Sequence, residues 1–225
     1  MIFNIGIILI LLMFTVVGLK QGIIKQGVSL IGIILVFVVS FLFKGLIGNL
    51  LCLYLPFFNF IGNYEGLSTI NILIYQLIGF IIIFSLLLSV YALIIKLSKV
   101  LNTVVNLTLV LIIPSKILGA ILGFIEGYIL VFICIIILII PLHNIDTFTS
   151  SKVVNYILYN SPVIRKITYP VTSTIKETYV LGEKIAHKKI SKEEANKKIL
   201  DTMLEHKVVS KSLVQELIEK KKIKI

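Results

Sequence analysis

Glu126 is the one acidic residue within the long apolar stretches of this 225-residue chain. A charge at the centre of a bilayer costs about 2.5–3.5 kcal/mol on insertion scales, so such a carboxyl must face protein or water. Two readings follow. Glu126 is part of an ion or proton path, or it is a structural carboxyl, paired with a lysine or drawn to the interface. Lys44 is the basic residue placed to reach inward from another apolar stretch. The structural reading predicts that Glu126→Gln is tolerated; the transport reading predicts that it abolishes function with protein levels intact.

The remaining reactive residue types form no set. His143, His187 and His206 are scattered through the final third of the chain, without metal-ligand spacing and without a cysteine nearby. Asp146 follows His143 by three positions, which is common by chance. Cys52 and Cys134 fall in different apolar segments and read as small buried hydrophobes. The expectation is no catalytic residues, no cofactor, no metal, and hence no enzyme. The sharpest spacing signal is steric: Gly119, Gly123 and Gly127 recur every four residues, on one helix face, where they open a groove for a second helix. Gly18 and Gly22 repeat that spacing, and Gly32 continues the series downstream. All six glycines are candidate helix-packing positions.

The elements that carry these residues are set by composition. Hydrophobic residues make up 58% of the chain and charged residues 15%, against about 25% charged in soluble domains. Mean hydropathy is +1.06. Apolar runs at residues 2–19, 27–48, 70–95 and 117–140 are each about long enough to cross a ~30 Å hydrocarbon layer as helices. No basic residue precedes the first run, so it reads as a retained span rather than a cleaved leader. Residues 101–113 are apolar but short, hence interfacial or re-entrant, with Pro114 closing them. The 49–68 connector carries turn formers and the aromatics Tyr54, Phe57, Phe58, Phe60 and Tyr64, which suit a membrane surface.

Charge divides the chain just past Pro141. Residues 1–141 hold six lysines and two glutamates; residues 142–225 hold sixteen basic and nine acidic residues. The expected architecture is an all-α polytopic membrane protein, with a four-span domain over 1–141 and a basic helical tail over 142–225. Lys20, Lys25, Lys96, Lys99 and Lys116 flank the first and third connectors, while the 49–68 connector has no lysine or arginine. By the positive-inside rule those two connectors are cytoplasmic and both termini lie outside. In the tail, Ser191 with Glu194 and Ser212 with Gln215 have capping-box spacing, and Pro162 and Pro170 are expected to break the earlier part. The final Lys220–Lys224 run reads first as a solvated terminus, second as a surface for anionic lipid or a cell-wall polymer.

Two blocks carry a resemblance. The first runs from Gly18 through Lys20, Gly22, Lys25, Gln26 and Gly27 to Gly32; the second runs from Pro114 through Lys116, Gly119, Gly123 and Glu126 to Gly127. In order and separation they resemble the bacterial colicin V production protein (CvpA) family over residues 1–165. Two positions depart from the family pattern: Asn4 and Gln26 stand where acidic residues are common. The resemblance implies a multi-pass protein of the bacterial cytoplasmic membrane, linked to toxin production and export and to envelope homeostasis. It supplies no catalytic residue.

The reading is a membrane accessory or scaffold. Its partners are the lipid bilayer and other membrane or envelope proteins, or a second copy of itself, and not nucleic acid. The rival is a small transporter or channel built around Glu126.

Overall fold

The computed structural model describes residues 2–60, 65–101, 112–139, 146–160 and 164–223. Among them are α1 (Ile2–Tyr54), α2 (Thr69–Leu101), α3 (Ile112–Ile139), α4 (Asp146–Thr149), α5 (Lys152–Asn160), α6 (Ile164–Ala186), α7 (Lys192–Glu205) and α8 (Lys211–Glu219). The all-helical architecture stands, with no strand among the described residues. Most of the short 101–113 segment, residues 102–111, lies outside them, as does His143.

Among the described residues, three helices are long and apolar enough to cross a membrane, not the four expected. The difference has one physical origin. α1 has 53 residues and contains both of the first two expected spans. At Gly22 the backbone turns to φ 75°, ψ 174°, outside the helical region, so α1 is two helices joined at a break. Only a residue without Cβ takes that conformation at little cost. The break leaves Ile23 N–H without a helical acceptor, and it donates instead to Ser115 Oγ at 3.2 Å.

Other local expectations shift for similar reasons. Pro114 lies in the first turn of α3, where its missing N–H is not needed. Pro170 lies inside α6 rather than ending a helix. There α6 buries Thr172, Thr174, Ile175 and Thr178, and packing outweighs the lost backbone bond. Ser191 caps α7 as expected, accepting from Glu194 N at 3.1 Å. The cap of α8 is Ser210, accepting from Leu213 N at 3.2 Å, not Ser212, which sits within the helix.

The helices form two compact units. The first, residues 1–41 and 84–161, takes most of α1, the end of α2, and α3 to α5. Leu30, Ile33, Phe37, Val131, Phe132, Ile135, Val154 and Ile157 form its core. Ile5, Ile8, Leu9, Leu12 and Met13 are exposed along α1, the surface a helix offers to lipid. The second unit, residues 42–83 and 162–225, joins the end of α1 and the start of α2 to α6–α8. A Cβ on Gly79 would stand 2.6 Å from Gly48 N and from Lys44 O, so α1 and α2 approach there backbone to backbone.

Candidate functional site

The glycines of the first unit meet each other. A Cβ on Gly18 would collide with the Gly119 backbone, one on Gly119 with Gly18 and Gly22, and one on Gly123 with Phe14 and Gly18. Gly127 faces the Phe14 side chain. Residues 14, 18 and 22 therefore oppose 127, 123 and 119, and the first half of α1 runs antiparallel to α3. Beyond Gly22 the order inverts. Ser115 meets Gly22 and Ile23, Leu122 meets Gly27, and Glu126 meets Gln26 and Ser29. The second half of α1 runs parallel to α3, so the chain reverses at Gly22 and both halves pack on one helix. Gly32 stands apart from this crossing, beneath the Tyr91 ring of α2.

Glu126 sits beside the crossing. Its side chain is buried and bonded to neutral partners rather than to a lysine. Gln26 Nε2 donates to Oε2 at 2.5 Å and Ser29 Oγ donates to Oε1 at 3.0 Å. The Tyr91 hydroxyl lies close by, donating at 3.3 Å to Val28 O and at 3.4 Å to Ser29 O. Glu126 thus replaces the water of a free carboxylate with two fixed donors, while the glycines bring the three helix segments close enough for those donors to reach.

Ser29 and Ser115 are site residues that sequence reasoning did not single out. Gln26 and Ser29 are three apart, on one face of an otherwise apolar helix, which is the signal that could have found them. Asn4 is likewise engaged, accepting from Ser151 Oγ at 2.5 Å. His187 and His206 take no part in the site; His206 packs edge-on against Tyr169. No group of three or more metal-ligand side chains occurs among the described residues.

A second polar assembly lies in the other unit, where the tail meets the connector between α1 and α2. Asn196 Oδ1 accepts from Thr69 N at 3.2 Å and from Thr69 Oγ1 at 2.9 Å, while its Nδ2 donates to Gly66 O at 2.9 Å. The start of α2 is therefore capped by a side chain of α7. Lys222 Nζ donates to Cys52 O and Leu55 O, each at 2.8 Å, and caps the end of α1. Lys192 pairs with Glu65 at 3.1 Å, and Lys220 and Lys222 lie over the rings of Tyr54 and Phe57.

Long apolar helices, a break that reverses the chain, and a carboxyl satisfied inside apolar helices define an integral membrane protein of the polytopic helical class. The family model for the colicin V production protein matches residues 3–162. The chain belongs to that family. The match takes in the whole glycine crossing and the Glu126 cluster, and α6–α8 lie beyond it. Neither a curated protein nor a solved structure matches the chain.

Proposed function

We propose that the protein is a four-span accessory or scaffold of the bacterial cytoplasmic membrane. It supports colicin V-type toxin production and export, and envelope homeostasis. The observation that carries this reading is the glycine crossing, which lies wholly within the family match and brings the first half of α1 and α3 into backbone contact. Such contacts suit a rigid platform that presents the same surfaces to partner membrane or envelope proteins, or to a second copy of the chain.

The reversal at Gly22 supports two crossings by α1, and with α2 and α3 this makes four. Four crossings put the N-terminus, the 55–68 connector and everything after α3 on one side. Three contacts agree with that parity. Asn4 bonds Ser151 within the first unit, and Asn196 bonds Gly66 and Lys222 bonds Leu55, at the two ends of the connector, within the second. The lysine distribution makes that common side extracytoplasmic.

A strain lacking this chain and exporting a colicin V-type toxin is the test. The scaffold reading expects secretion to be restored by the native chain and by Glu126→Gln, and to fail with Gly123→Leu. Co-purification after mild detergent extraction identifies the partners. A small transporter or channel is the second reading, favoured by the buried, hydrogen-bonded carboxyl of Glu126. Glu126-dependent flux in proteoliposomes, with loss of secretion in Glu126→Gln at normal membrane abundance, would replace the scaffold reading with this one.

A further inference from the structure

Gln26 is 1% exposed, and its side-chain oxygen Oε1 has no hydrogen-bond partner among the described residues. A buried acceptor without a donor is unfavourable and calls for a reason. The other end of the same carboxamide lies 2.5 Å from Glu126 Oε2. A half-turn about the last side-chain bond of a glutamine exchanges its oxygen and nitrogen. Turned in that way, Gln26 sets its orphaned oxygen opposite Glu126 Oε2, where it can accept a hydrogen from a protonated carboxyl, and Nε2 takes the oxygen's former place.

We infer that Gln26, Ser29 and Glu126 form a binding site for one proton, taken up on Glu126 and read out by rotation of the Gln26 amide. In the ionised state Gln26 Nε2 donates to Glu126 Oε2. Uptake of a proton from water forms the Oε2–H bond, and that hydrogen is donated to Gln26 Oε1 once the amide has turned. Ser29 Oγ keeps donating to Glu126 Oε1 in both states. Tyr91 of α2, bonded to the Val28 and Ser29 carbonyls, is close enough to Glu126 for their charges to interact. Lys20 and Lys25 of α1 and Lys116 of α3 are exposed. On α5, which packs against α3, Lys152 and Tyr156 are exposed and Tyr159 is half-buried. None of them bonds to Glu126. The site rests on neither reading of the function, since a proton bound here can serve a fixed scaffold or a moving carrier.

Infrared difference spectra of the full-length protein in lipid nanodiscs, between about pH 4 and about pH 10, test the inference across the range of carboxyl and amine titrations. One carboxyl C=O band is expected to change with pH and to be absent in Glu126→Gln. A glutamine amide band should move with the same midpoint and vanish in Gln26→Leu. Gln26→Glu sets two carboxyls in contact, where they share a proton, so two titration steps should replace one. Three results would overturn the site: no Glu126-dependent band, a single unchanged step in Gln26→Glu, or a midpoint that follows Na+ concentration at fixed pH. The last would assign the oxygens to a metal cation. Thermal melting checks that each variant is folded; should Glu126→Gln fail to fold, the Gln26→Glu titration decides.

Discussion

At Gly123 the space for a side chain is already occupied by the backbone of Phe14 and Gly18. Even a methyl group must push α1 and α3 apart, and overpacking of this kind costs about 1–3 kcal/mol. Gly123→Ala is therefore expected to lower the melting temperature in detergent, and Gly123→Leu to lower it further. Gly6 has nothing within 4 Å of a built Cβ, so Gly6→Leu should melt like the native protein. Gly79, an isolated glycine in the sequence, is no control, because its Cβ would strike Gly48 and Lys44. Equal melting of Gly123→Leu and Gly6→Leu would remove the case for a close crossing. Glu126→Gln makes the opposite demand. The new amide still offers an oxygen to Gln26 Nε2 and carries no charge to bury. Membrane abundance and melting should stay near native, and toxin secretion should be retained.

Among the elements, the break in α1 and the docked tail mark where sequence reasoning reached and where it stopped. Glycine spacing and apolar length depend on neighbours in sequence, so the glycine faces and the run of apolar helices could be read directly. The partner of each glycine could not, because contacts such as Gly18 with Gly119 join residues about a hundred positions apart. The same holds for Glu126. Its lone charge is visible in the sequence, but its neutral donors come from a different helix, and pairing with a lysine was the simpler expectation. The tail was least legible. Asn196 and Lys222 look like ordinary residues of a polar segment, yet each caps the end of an apolar helix far back in the chain. Asn196→Leu leaves Thr69 N without its acceptor and removes one of the two donors to Gly66 O, where Ser68 N remains. An unsatisfied buried group costs about 1–3 kcal/mol, so this variant should expose α7 and α8 to limited proteolysis. Lys198→Ala removes only an exposed pair with Glu194 and should leave the cleavage pattern unchanged.

For the whole molecule, the open question is which way the chain faces. Charge and contacts bear on it independently. Lys20, Lys25, Lys96, Lys99 and Lys116 lie by the two connectors that should stay inside, and the positive-inside rule weighs short loops of this kind most heavily. The basic tail argues the other way by charge alone, but long tails translocate largely regardless of charge. Contacts settle its relation to the connector that holds no lysine or arginine. α7 grips the connector at Glu65 and Gly66, and Lys222 grips it at Leu55, so tail and connector share a side. If the tail were cytoplasmic, that connector would be cytoplasmic too, and all five loop lysines would lie outside. Single cysteines at positions 100 and 190, in a background with Cys52 and Cys134 replaced by alanine, decide the matter with a membrane-impermeant thiol reagent on intact cells. Position 190 should label and position 100 should be protected until the membrane is permeabilised. The reverse pattern would invert the molecule. Labelling at both positions would break the parity of four crossings, and with it the reversal at Gly22 as a membrane turn.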